Sequence, residues 1–284
     1  MARDTDDSSD RSERSADHAF LIGLARAFGG AIFFSMPLLM TMEMWSLGFT
    51  MGRLQLALLT AVFIPVLVGL AHFSGFKATS TLSEAIVDAL VAYAVGSLTA
   101  ALVLWVFGVI QLGMPAGEIL GKIVLQSVPA SVGAALAVGL LGGDKAEEER
   151  RKRDAGYAGS LFLMAAGAIF FAFNVAPTEE MVLIAQQMSA WQVAALGIGS
   201  LIMMHAFVYG VEFHGGIAVP RGVPWWSIFL RYTVAGYAVA LAVSAYVLWT
   251  FGRFDGVAYH QMTTTTLVLG FPASLGAAAA RLVL

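Results

Sequence analysis

The chain has 284 residues, of which 58% are hydrophobic and only 12% charged, and its mean hydropathy is +0.78. Too little polar surface is left to wrap a water-soluble globule of this size, so the composition calls for lipid as solvent. A net charge of −3 supplies no basic field for nucleic acid, and the absence of cysteine rules out disulfides, thiolate metal sites and thiol catalysis.

Residues 1–18 mix acids, Ser and Arg without an apolar run and are expected to form a disordered cytoplasmic tail. Acids lead and a full-length apolar segment follows, which is not the basic-then-short-apolar order of a secretory signal, so that segment is expected to remain as a span. Runs long enough to cross about 30 Å of hydrocarbon lie near 20–42, 54–74, 84–110, 117–141, 157–177, 191–213, 226–251 and 262–283. The alternation of a membrane barrel is missing, so the expected fold is all-α and polytopic, with about eight transmembrane helices. Residues 19–142 form a first four-helix membrane unit, 143–156 a charged cytoplasmic linker, and 157–284 a second four-helix unit. Basic residues concentrate on the side holding the tail, the 2–3, 4–5 and 6–7 connections and the C-terminus. Arg53 and Arg253 stand opposite, and this bias predicts a multi-pass protein of the cytoplasmic membrane with both termini inside.

The two units repeat one another. Gly30-Ala31-Ile32-Phe33-Phe34 returns as Gly167-Ala168-Ile169-Phe170-Phe171, and on the same offset Thr41 and Glu43 face Thr178 and Glu180. Leu104-Trp105-Val106-Phe107-Gly108 returns as Leu248-Trp249-Thr250-Phe251-Gly252, with Tyr93 facing Tyr237. Val128-Pro129-Ala130-Ser131-Val132-Gly133 returns as Phe271-Pro272-Ala273-Ser274-Leu275-Gly276. An even number of spans per unit makes the repeats parallel, related by an axis along the membrane normal. The Pro-Ala-Ser-x-Gly strips read as helix-packing surfaces with a kink, and Trp105 and Trp249 as interface anchors.

Glu43 and Glu180 are the leading functional candidates. Each follows a Thr by two residues, Thr41 or Thr178, and a helix-disturbing position, Pro37 in the first copy and Asn174 and Pro177 in the second. A carboxylate beside broken helix, where freed carbonyls can also coordinate, suits a cation or proton. The competing reading is an acid at the interface that sits in water. A second set, His205, Tyr209 and Glu212, is spaced i, i+4, i+7 and could bind a metal or relay protons, although a packing histidine is the plainer account. Thr81-x-x-Glu84 is a capping box. Asp88, one turn on, lies within a span, and Arg231, close to it in the repeat register, is its candidate partner. No phosphate loop, Gly-x-Ser-x-Gly elbow or His-Glu-x-x-His pair occurs, so no enzyme and no cofactor is expected.

The stretch GAIFFSMPLLMTMEMW resembles a bacterial family of integral membrane proteins catalogued as a domain of unknown function, whose first-helix motif ends in T-M-E and an apolar or aromatic pair. The resemblance covers most of the chain from residue 20 onward and marks Thr41, Glu43 and Trp45, while the second copy departs from it with Val182 in place of the Trp. It implies a membrane location and no activity. The expectation is therefore a channel or transporter for a small cation or proton, the alternative being a non-transporting scaffold or accessory subunit. A wet cavity lined by acids would favour the first, and a dry interior with acids at the rim the second. The lipid bilayer is the expected partner, with room for a homo-oligomer.

Overall fold

The computed structural model describes residues 3–74, 81–142, 156–209 and 225–283, and among them there is helix and no strand. The elements in chain order are α1 (Arg3–Leu39), α2 (Met42–Thr50), α3 (Arg53–Ser74), α4 (Leu82–Val106), α5 (Ala116–Gly142), α6 (Gly156–Val175), α7 (Glu179–Gln187) and α8 (Ala190–Tyr209). They continue with α9 (Trp225–Ile228), a π-helical turn (Phe229–Val234), α10 (Ala235–Thr250) and α11 (Tyr259–Val283). Seven described helices are long and apolar enough to cross a membrane. The eighth predicted span, 262–283, forms α11 but is not among the seven, its apolar character being diluted by the Thr263–Thr266 run and by Pro272 and Arg281.

Two expectations meet a different local structure. Residues 3–18 are described as helix continuous with α1; Asp and Ser, which dominate the run, are weak helix formers, so the helix here extends from the nucleated apolar segment rather than from its own propensity. The connections after the first and fifth spans are not loops but the nine-residue helices α2 and α7. The linker at 143–156 lies outside the described residues except for Gly156, which opens α6.

The halves share several local features, although α9 and the π-helical turn have no counterpart in the first. Thr41 and Thr178 precede α2 and α7 in extended conformation, and both α4 and α10 end at a Phe followed by a left-handed glycine, Gly108 at φ 71° and Gly252 at φ 69°. The repeated motifs meet each other within each half. A Cβ on Gly30 would lie 2.4 Å from the carbonyl oxygen of Gly133, and one on Gly167 would lie 2.2 Å from that of Gly276. Thus the GAIFF glycine of α1 or α6 crosses the Pro-Ala-Ser-x-Gly glycine of α5 or α11 backbone to backbone. This close approach is how helices associate where lipid offers no hydrophobic drive between them. Contacts inside each half far exceed those across the seam, where α3 touches α6 and α10 and α5 touches α6. At the seam Phe162 lies against Gly69, and Phe34 meets Phe170 edge to face at 5.2 Å.

The capping box is partly formed: the Thr81 hydroxyl accepts the Glu84 amide at 3.4 Å. Thr81→Ala should lower stability by about 0.5–1 kcal/mol, read as a small drop in thermal midpoint in detergent; no drop would show that the long bond contributes nothing.

Candidate functional site

The first helix of each half stops for a similar local reason. α1 runs through Pro37 and ends at Leu39, after which the extended Thr41 redirects the chain into α2. The Thr41 hydroxyl does not cap α2; it donates back to the Leu38 carbonyl at 3.0 Å, which also accepts the side-chain amide of the fully buried Gln126 at 3.0 Å. The neighbouring Leu39 carbonyl accepts the Trp45 indole N–H at 2.8 Å. In the second half Asn174 donates to the Phe170 carbonyl at 2.8 Å and Thr178 to that of Val175 at 2.8 Å, and Arg253 Nη2 donates to the Pro177 carbonyl. The Leu38, Leu39, Val175 and Pro177 carbonyls at the breaks are thus taken by donors of the protein itself.

The two principal acids differ in surroundings. Glu43 stands in the first turn of α2 and is half-buried, whereas Glu180, in the first turn of α7, is exposed. Both positions are favoured by the positive end of the helix dipole, which requires no bound cation. Next to Glu180, Glu179 accepts Arg253 Nη1 at 2.8 Å, but the Glu179 side chain is 64% exposed, so solvent leaves that pair a small contribution.

A stronger charge site lies two turns into α5, at a residue that sequence reasoning passed over. Lys122 is buried, with its side chain 7% exposed. Its Nζ donates to Glu118 at 2.7 Å and to the Val109 carbonyl at 3.3 Å, and it lies 5.9 Å from the centre of the Phe49 ring. The α2 backbone closes over it, because a Cβ on Gly48 would stand 2.7 Å from Lys122 Cα and one on Gly121 would run into the Gly48 carbonyl oxygen. Carboxylate, carbonyl and aromatic face together solvate the ammonium. The signal in the sequence is Glu118-x-x-x-Lys122 inside an apolar run, a pair one helical turn apart.

With helices of this length and charges neutralised in this way, comparison with known proteins is direct: residues 23–284 match the family model described as "Putative integral membrane protein (DUF2391)". The chain belongs to this family. The match covers the same region as the resemblance drawn from the GAIFF stretch, and it makes the chain an integral membrane protein with several apolar helices. No curated protein and no solved structure matches it.

The remaining candidates are dispersed over this family member. His205 on α8 is half-buried, its Nδ1 3.0 Å from the hydroxyl of the fully buried Thr233 and its ring edge to face with Phe229 at 5.2 Å. Both partners sit in the π-helical turn, so the imidazole is held by packing and a hydroxyl. Glu212 and His214 lie outside the described residues, and only the backbone of Tyr209 is described. Among the described residues no group of three or more metal-ligating side chains gathers. Asp88 is half-buried on α4, Arg231 is exposed in the π-helical turn, and α4 shares no extensive contact with that turn. The Arg231 carbonyl accepts the Tyr157 hydroxyl at 2.9 Å.

Proposed function

We propose that this family member is a non-conducting, non-enzymatic component of the membrane, a scaffold or accessory subunit, rather than a channel or transporter for a small cation or proton. The observation that carries this reading is that the cations beside the broken helices are the protein's own: Lys122 at Glu118 and the Val109 carbonyl, Arg253 at Glu179 and the Pro177 carbonyl. An incoming cation would have to displace a tethered one, and Thr41, Thr178, Trp45 and Gln126 already hold the nearby carbonyls. The crevice of about 160 Å³ where the halves meet supports the same view, being lined by Phe34, Phe170, Phe171, Leu136 and small residues. An apolar lining offers no substitute for an ion's hydration shell.

Cation or proton transport is kept as the second reading because of one feature. Glu118, Lys122 and Gln126 follow one another at i, i+4 and i+8 along α5, and Gln126 Oε1 is buried with no hydrogen-bond partner among the described residues. A polar file of this kind inside a membrane helix suits a proton relay.

Purified protein in liposomes decides between the two. The first reading expects imposed pH, Na⁺ and K⁺ gradients to decay no faster than in protein-free liposomes. Flux above that rate that falls in Gln126→Leu, Glu43→Gln or Glu180→Gln, with folding intact, would move the assignment to transport.

A further inference from the structure

Two similar units lying parallel in a membrane can meet in one of two ways. Where a two-fold axis relates them, each contact across the seam is made twice; where the contact is head-to-tail, each unit uses one face and leaves the other open. The seam of this chain is of the second kind. α3 of the first half lies on α6 and α10 of the second. The equivalent contact would put α8 on α1 and α4, and among the described residues α8 shares no extensive contact with either. α8 rests instead on α11 and the π-helical turn, and only 11% of its apolar stretch is buried, against 28% for α3.

The open faces can be read residue by residue from the closed ones. Across the seam the Phe162 ring lies against Gly69, and Phe34 meets Phe170 edge to face. Gln55 Nε2 donates to the Trp249 carbonyl at 3.4 Å, and the Tyr246 hydroxyl to the Leu58 carbonyl at 3.4 Å. α1 and α3 map onto α6 and α8 by the 137 residues that separate Gly30 from Gly167, and α4 onto α10 by the 144 that separate Trp105 from Trp249. The corresponding pairs are therefore Ala25 with Ala206, Phe171 with Phe33, Gln192 with Trp105, and Ala195 with Leu102. All of these residues are exposed, Phe33 to 77% and Trp105 to 62%. Gln192 repeats its counterpart most closely. Gln55 Oε1 accepts the Gly52 amide at 3.1 Å, which leaves Nε2 for the seam. Gln192 Oε1 accepts the Ser189 amide at 2.8 Å, and its Nε2 has no partner among the described residues. The Trp105 carbonyl, like that of Trp249, accepts the amide of the glycine three residues on and keeps a second lone pair.

We propose that a second copy of this chain covers these faces, α8 of one copy seated on α1 and α4 of the next, so that successive copies close into a ring in the membrane plane. A copy in the same orientation presents the complementary face at the same depth, and a rotation about the membrane normal keeps every copy in one plane, where a head-to-tail contact closes. Ala25 against Ala206 lets α1 and α8 approach closely, which is how helices associate in lipid. One bond of the seam is not repeated, since Leu102 has no hydroxyl where Tyr246 has one. The ring does not depend on whether the protein conducts.

The chain has no cysteine, so thiols can be introduced one at a time. Leu102→Cys and Ala195→Cys, both at exposed positions, are co-expressed as separate full-length chains and treated in native membranes with a short thiol-specific cross-linker. A covalent dimer is expected from the mixture and from neither variant alone. One chain carrying both changes should give a ladder whose highest band counts the copies in the ring. Gln192→Leu should lower the yield. Adding Ala25→Phe and Ala206→Phe overfills the contact from two exposed positions, so the cross-linked products should disappear while the protein still unfolds cooperatively in detergent. No product from the mixture means that lipid or another protein covers these faces, and equal product from either variant alone means random encounter. Product that survives the two Phe changes places the contact elsewhere. Each of these three results overturns the proposal.

Discussion

Gly133→Leu should abolish the folded state, and Gly133→Ala should lower stability by about 3 kcal/mol or more, at the upper end of what overpacking costs. A Cβ on Gly133 would lie 2.4 Å from the Gly30 carbonyl oxygen and 2.6 Å from the Phe34 Cβ, and both obstacles belong to a packed helix and cannot swing aside. The only relief is to move α1 away from α5, which forfeits dispersion contacts along the most extensive helix pairing of the first half. Gly276→Ala should cost a similar amount, its Cβ meeting the Gly167 oxygen at 2.3 Å. Gly29→Ala is the control: nothing lies within 4 Å of its Cβ, so the change should be neutral or slightly stabilising through helix propensity. Thermal unfolding of the purified proteins in detergent, with size-exclusion profiles, reads all four. Equal midpoints for Gly29→Ala and Gly133→Ala would show that the crossing is looser than its geometry.

The second large effect is expected at Lys122. Glu118→Gln removes the charge partner of an ammonium that is 7% exposed and leaves it with one carbonyl and one ring face, at a cost of about 3 kcal/mol. Lys122→Met should cost less, because the Glu118 side chain is 25% exposed and can turn to water. The double variant Glu118→Gln, Lys122→Met should be more stable than Glu118→Gln alone, since no buried charge then lacks a partner. If the two single effects simply add in the double variant, the pair is not coupled and the 2.7 Å contact contributes nothing to folding.

What could be seen in advance, and what could not, follows from the physics of each signal. Spans are read from sustained apolar length, which is why all eight long helices were expected close to where they stand, although α11 mixes that length with a run of threonines and is not among the seven apolar enough to cross. Identical pentapeptides announced the repeat, and the Gly30–Gly133 and Gly167–Gly276 crossings explain their identity: nothing larger than hydrogen fits at these positions. α2 and α7 escaped notice because nine residues are too few for a periodic pattern, although Thr41 and Thr178, each with an acid in the following turn, carried an N-terminal signal. At the candidate site, Glu43 and Glu180 were visible as acids, but their burial was not, since depth depends on where a helix breaks rather than on which residue stands there. Lys122 was overlooked for the opposite reason: inside an apolar run a lone lysine looks like a snorkelling residue until Gly48 is found closing over it. Arg253 was counted only as a loop charge, and its contact with Pro177 joins segments more than seventy residues apart, a distance no local pattern spans.

The thin seam between the halves has a consequence for how such a chain changes over time. With most packing confined within each half, a substitution on one side is paid for by neighbours on that side, and its twin is free to take another path. The lysine–glutamate pair of α5 stands where α11 has threonine and glutamine, so corresponding positions of the two halves carry different environments. Mutational drift in this molecule should accordingly be correlated within halves, α1 with α5 and α6 with α11, and nearly independent between them.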